Sequence, residues 1–159
     1  MAGRHVWPTL ADLHAHLEKG HTITRSPNPD GSMAGALKAT DADRRHWTEN
    51  DIALRMEFAL RCAYVHGVSA IRSHLHSDQG QERMIWSVAR QKRAEWKDRI
   101  ALQFVSLTPF ENYRGRQGVD LADLVAASGG ILGGASRPTK GVPGQLEHLD
   151  DAAAGLRGA

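Results

Sequence analysis

Apolar residues recur along this chain with two alternating spacings. Short apolar runs predict β-strands over 7–13, 68–75, 100–107 and 131–135. Between them, apolar residues three and four positions apart predict helices over 48–66, 81–99 and 120–127. Strands and helices that alternate through short links are typical of βαβ units on a parallel sheet. The predicted fold class is therefore α/β, with about four βα units.

The second of these strands follows the helix with the clearest boundaries. Thr48 stands at the N-cap position, with Glu49 and Asp51 in the first turn. Gly67 follows the last periodic residue and predicts the helix end. By contrast, segment 18–46 has no sustained periodicity and contains a strong turn signal, so we expect an active-site loop there.

Four predicted strands are half of what a closed (β/α)8 barrel of about 250 residues requires. We therefore predict a partial TIM barrel over 7–135. An N-terminal remnant precedes it at 1–6. A tail rich in glycine and alanine follows at 136–159, which we expect to be helical or poorly ordered.

Composition narrows the classes of function. The formal net charge is only +2, with charges of both signs spread along the chain, which argues against nucleic acid and against an anionic membrane. No apolar run reaches the roughly 18 residues of a membrane span. The single cysteine predicts a reducing cytoplasm. It also excludes the zinc deaminase site built on a Pro-Cys-x-x-Cys motif.

Two histidine pairs are the candidate chemistry. His14 and His16 lie two residues apart at the end of the first strand, so both imidazoles point to one face and can converge on a metal ion. His74 and His76 end the second strand in the same way. Two alternatives stay open for them. They complete a four-histidine site, or His74 makes a hydrogen bond within the site while His76 faces solvent or the mouth.

The segment around the first pair matches a known pattern. Residues 8–17, Pro-Thr-Leu-Ala-Asp-Leu-His-Ala-His-Leu, form an apolar strand that ends in His-x-His. From about Trp7 to about Gly134 the chain resembles the amidohydrolase superfamily, and within it the cytosine deaminase branch. The further segments that carry this resemblance, in order and spacing, are 18–21 (Glu-Lys-Gly-His), 30–32 (Asp-Gly-Ser), 47–51 (Trp-Thr-Glu-Asn-Asp), 62–67 (Cys-Ala-Tyr-Val-His-Gly) and 71–74 (Ile-Arg-Ser-His).

The resemblance implies a metal-dependent hydrolase of C–N bonds. A divalent metal, Fe²⁺ or Zn²⁺, would activate water for attack on a cyclic amidine, a small-molecule heterocycle. His14 and His16 would be metal ligands. Residues that would line the same site are Glu18, Lys19, His74 and His76.

The same resemblance predicts an incomplete site. The family's later metal ligands and its general base come from strands beyond the fourth, and aspartate is usual where this chain has Glu18 and His76. We therefore expect the chain alone to be inactive. The alternative is a non-catalytic half-barrel that binds a partner or self-associates as a homo-oligomer, or that awaits a missing second half. The open inner face of a half-barrel would expose residues such as Leu13, Ile71 and Phe104 or their neighbours in sequence.

Overall fold

The computed structural model describes Gly3 and residues 5–135, and its centre is a parallel sheet of three strands. The strands are β1 (Leu10–Ala15), β2 (Val68–His76) and β3 (Ala101–Leu107), hydrogen-bonded in the order β1-β2-β3. This confirms the parallel α/β fold. The helices are α1 (Met33–Asp43), α2 (Glu49–Val65), α3 (Glu82–Trp96) and α4 (Gly115–Ala127), with short 3-10 turns at Arg44–His46 and Phe110–Tyr113.

The hydrophobic core lies between the helices and one face of the sheet. Ile71, Leu75 and Phe104 are buried in it, and the guanidinium of Arg93 on α3 lies 5.9 Å from the Phe104 ring. Side chains alternate along a strand, so Arg72 and His74 of β2 lie on the opposite face. The expectation that Ile71 and Phe104 line an open inner face is therefore wrong, because both pack against helices. Leu13 is exposed, as expected.

Helix α2 forms as its sequence predicts. The Thr48 hydroxyl accepts a hydrogen bond from the Asp51 backbone N–H at 3.1 Å, which satisfies a donor that the first turn leaves open. Gly67 has a φ of +83°, a conformation that glycine adopts without steric cost, and it ends the helix. The buried stripe of Ile52, Met56 and Leu60 faces the core. Helix α4 begins at Gly115, five residues before its predicted start at 120.

The prediction of a loop without regular structure over 18–46 is wrong. The segment contains α1, whose N-cap Ser32 accepts a hydrogen bond from the Gly35 N–H at 2.9 Å. The helix lacks an apolar stripe, since Met33 and Leu37 are both exposed. Its attachment to the core is polar instead, through the buried carboxylate of Asp43.

The predicted fourth strand does not form as a strand within the described residues. Segment 131–135 makes only two isolated parallel bridges, Val105 to Ile131 and Pro109 to Ala135. Glycine explains the difference, because it gains little from strand pairing and allows close packing. A Cβ at Gly133 would stand 2.5 Å from Cγ1 of Val105. The predicted tail at 136–159 lies outside the described residues.

The part of the chain that the structure describes contains no candidate for a membrane-spanning helix. None of the helices there is long and apolar enough to cross a bilayer.

Candidate functional site

The carboxyl ends of β1 and β2 bring the two histidine pairs together. β1 and β2 are adjacent and parallel, with Ala15 opposite Ser73, so both pairs reach the same edge of the sheet. The rings of His14 and His74 are stacked with their centroids 4.3 Å apart, and the His14 and His16 centroids are 5.1 Å apart. In parallel barrels this strand end carries the functional groups.

His16 is oriented by the second strand. Its Nδ1 lies 2.9 Å from the carbonyl oxygen of His74. A carbonyl can only accept, so Nδ1 carries the proton and donates it, and Nε2 keeps its lone pair. Burial lowers the pKa of His16, and the positive charge of Lys19 lowers it further. The ring is therefore neutral near pH 7 with one nitrogen open, which is the form that binds a metal.

The described residues do not hold a complete metal site. Within 5–135, no three side chains of His, Cys, Asp or Glu converge closely enough to bind an ion. His14 and His16 nonetheless fit two positions of a ligand set. Their rings are adjacent, and the hydrogen bond from Nδ1 of His16 to a backbone carbonyl leaves Nε2 of that ring free for a metal. Catalytic zinc commonly has three protein ligands.

Glu18 and His76 form a buried pair beside these rings. The Glu18 carboxylate is fully buried, and its Oε1 accepts hydrogen bonds from Nδ1 of His76 at 3.0 Å and from the His76 backbone N–H at 3.2 Å. Burial raises the pKa of Glu18, but the hydrogen bond and electrostatic attraction of His76 outweigh it and hold the pKa below its ordinary value. The His76 side chain is only 13% exposed, so it does not face solvent, and the other predicted orientation, towards the mouth of the barrel, stays a prediction.

Trp47 is the site residue that sequence reasoning missed. Its ring stands edge-on to His76 with the centroids 6.0 Å apart, and its indole N–H donates to the buried Asp43 carboxylate at 2.7 Å. The guanidiniums of Arg44 and Arg55 lie 5.4 and 5.3 Å from the ring. In the sequence, Trp47 stood out only as the first residue of the resembling segment 47–51, just before the α2 N-cap.

Lys19 lies half-buried next to this pair. Burial lowers the pKa of its ammonium group, and Arg44 lowers it further, while Glu18 acts in the opposite direction.

The pKa of His74 is lowered as well, by burial and by electrostatic repulsion from His14 and Arg72. The structure therefore places all six residues singled out from the sequence at one strand end.

A cavity of about 760 Å³ is lined by residues that follow β2 and β3 in the chain. It lies between the loop that follows β2, at Ser77–Gly80, and helix α4. None of the four histidines lines it, so the cavity does not include the histidine cluster.

Comparison with known proteins shows that the chain is similar to part of several deaminases. No family model matches the sequence. A pterin deaminase from Rhizobium rhizogenes is 46% identical over 151 residues, which cover 94% of this chain and 35% of that protein. A 5-methylcytosine deaminase from Klebsiella pneumoniae, solved with 5-fluorocytosine, superposes with a TM-score of 0.63 at 19% identity over 95% of this chain and 44% of the other.

The resemblance to the deaminases of the amidohydrolase superfamily, predicted from the sequence, is thereby confirmed over part of their length. A second solved relative, the N6-methyl-AMP deaminase from Arabidopsis thaliana, has a TM-score of 0.62 at 12% identity, covering 92% of this chain and 55% of the other. At such low identities these two superpositions report the fold. The chain thus matches part of a TIM-barrel protein and spans about a third of the curated relative's length.

Proposed function

We propose that this amidohydrolase segment supplies the first metal-binding strand end of a hydrolytic deaminase. The observation that carries the proposal is the orientation of His16, whose Nδ1–H donates to the His74 carbonyl and leaves Nε2 open beside the His14 ring. The 46% identity to a pterin deaminase supports the same reaction class.

His14 and His16 are the proposed metal ligands. A divalent metal, Fe²⁺ or Zn²⁺, would supply a Lewis acid that makes water nucleophilic near neutral pH. This chain's own part is to hold the two imidazoles in place beside the buried Glu18–His76 pair. The general base for the proton transfer remains outside the residues that we assign.

The proposed substrate class is a bicyclic or monocyclic heterocycle with an exocyclic amine, of the pterin type. The sequence resemblance favoured cytosine, but the relative with 46% identity is named for pterin and the cytosine-type structure shares only 19%. Water would add to the carbon that bears the amine, and ammonia would leave as that carbon becomes a carbonyl.

The cytoplasmic location indicated by the single cysteine stays a prediction.

Complementation tests this function. Mixed with the part of the Rhizobium rhizogenes pterin deaminase that lies outside the matched region, the chain should release ammonia from pterin when Zn²⁺ or Fe²⁺ is added. The chain alone should release none, because two imidazoles fall short of the usual three ligands. The variant His14→Ala/His16→Ala is the control. Equal ammonia release with the wild-type chain and with this variant would contradict the proposal.

Self-association is the expected behaviour of the chain on its own. Within the described residues β1 pairs only with β2, and Leu10 and Leu13 on it are 61% and 68% exposed. Open strand edges and exposed apolar side chains favour pairing with another chain. Burial of one leucine is worth about 1.5 to 3 kcal/mol, so Leu13→Lys should weaken a dimer by about 10- to 100-fold.

Light scattering over a concentration series measures this effect. The matched control is Leu37→Lys, which charges an exposed leucine on α1 away from the open edge. A wild-type chain that stays a monodisperse monomer at micromolar concentration would refute the prediction.

A further inference from the structure

One face of the parallel sheet is exposed. The helices pack on the face that carries the buried Ile71 and Phe104. Arg72 of β2 and Gln103 of β3 lie on the other face, where they are register partners and both exposed. Parallel sheets are normally covered on both faces. This second face, called the open face below, is therefore a surface that another chain can cover.

The open face combines apolar side chains with one charged group of each sign. A shallow cavity of about 180 Å³ on it is lined by residues of all three strands, among them Leu13, Ala70, Ala101, Asp12 and Arg72. The Leu13 side chain is 68% exposed. Protein interfaces combine such apolar contacts with charged groups that find opposite charges across the contact.

The two charged groups retain hydrogen-bonding capacity. Nε of Arg72 donates to Oε1 of Gln103, and within the described residues its two terminal nitrogens donate to no other group. Oδ1 of Asp12 accepts from the His14 backbone N–H at 3.0 Å, and Oδ2 has no hydrogen bond there. Arg72 and Asp12 do not pair with each other within one chain. A guanidinium and a carboxylate can form two parallel hydrogen bonds, so each group can bind its counterpart on another molecule.

We propose that the open face binds the open face of a second copy of this chain around a two-fold axis. In this dimer, Arg72 of each copy pairs with Asp12 of the other, and the two Leu13 side chains are covered. The inference names the surface of the self-association expected above. It does not rest on the deaminase reaction.

Charge complementarity favours a second copy over a partner with charges of one sign. A two-fold contact uses the same surface on both molecules, so a face that carries both signs is complementary to itself. A partner with one sign of charge would leave either Asp12 or Arg72 unpaired in the contact, which is costly. The formal net charge of the chain is only +2, so long-range repulsion between copies is small.

Sedimentation equilibrium of charge-reversed chains tests the proposal. Asp12→Arg places arginine opposite arginine at both symmetric positions, and Arg72→Asp places carboxylate opposite carboxylate. Each variant alone should self-associate at least about 10-fold more weakly than the wild-type chain, because like charges then face each other. Mixed in equal amounts, the two variants should associate with each other to within about 10-fold of the wild-type affinity, since opposite charges again meet at both positions.

Matched controls reverse charges on the helices instead. Arg90 on α3 and Asp123 on α4 are both exposed, and Arg90→Asp and Asp123→Arg change the net charge by the same amounts as the test variants. Each control should self-associate as the wild-type chain does, and mixing the two should add nothing. The mixture of test variants also controls for folding, because two misfolded chains would not restore each other's specific association.

Three results would overturn the inference. The first is a wild-type chain that stays monomeric at micromolar concentration. The second is wild-type self-association in Asp12→Arg or in Arg72→Asp, which would indicate a contact elsewhere, such as the open edge of β1. The third is weak association of both variants with no recovery on mixing, because Arg72 and Asp12 would then not meet across the contact. Ammonia release in the complementation experiment tests only the proposed function, so the two ideas can fail separately.

Discussion

Replacing Asp43 by alanine should lower the free energy of unfolding by about 3 kcal/mol or more. The Asp43 carboxylate is buried and accepts hydrogen bonds from Arg25, Ser26 and the Trp47 indole. The substitution leaves the buried indole N–H without an acceptor and breaks the ion pair to Arg25. Removal of one partner from a buried network costs several kcal/mol.

Urea unfolding followed by tryptophan fluorescence measures the loss. Asp41→Ala is the matched control, since Asp41 lies on the same helix but is 68% exposed, and its carboxylate is 3.9 Å from Arg44. We expect that control to change stability by less than about 0.5 kcal/mol. Equal effects of the two substitutions would show that the Asp43 network does not hold α1 in place.

Because of the same Asp43 carboxylate, we expect the stability of the fold to decrease in acid. Burial opposes its ionisation, but hydrogen bonds from Arg25, Trp47 and Ser26 outweigh burial and hold the pKa of Asp43 at about 2. The pKa in the folded state is below that in the unfolded state, so the stabilisation is fully present above about pH 4. It is lost as the pH falls towards 2, and Asp43→Ala should lose less stability than the wild type over this interval.

The second large effect concerns metal affinity. His14→Ala/His16→Ala should weaken Zn²⁺ binding by more than about 100-fold, because loss of even an outer-shell partner costs about 10- to 100-fold. Isothermal titration calorimetry measures the change. His74→Ala is the matched control, since the backbone carbonyl that orients His16 remains in that variant. If His74→Ala loses affinity to the same extent, the separation into one ligand pair and one supporting pair is wrong.

Local patterns predicted the parts of the fold that depend on neighbours in sequence. The spacing of Ile52, Met56 and Leu60, with Thr48 before them and Gly67 after them, was sufficient for α2. Strands β2 and β3 were found for the same reason, since each is a short apolar run after a helix. The meeting of His14 with His74 followed from the parallel order of β1 and β2.

Long-range polar contacts explain what the sequence did not predict. Helix α1 has no apolar stripe, and its anchor is Asp43, whose partner Arg25 lies 18 residues earlier in the chain. Likewise, no local pattern indicates that Glu18 pairs with His76, which is 58 residues away. At the glycine-rich segment 131–135 the local pattern predicted too much structure. Its small apolar residues indicated a strand, but only two isolated bridges form.

X-ray absorption spectroscopy of the zinc-loaded chain tests the central claim most directly, because it counts the imidazole ligands of the metal. The assignment of His14 and His16 predicts two imidazoles per zinc in the wild-type chain and in His74→Ala, with oxygen donors in the remaining positions. A spectrum with four imidazoles would favour the four-histidine site instead. A spectrum with no imidazole, or one that is unchanged in His14→Ala/His16→Ala, would contradict the assignment.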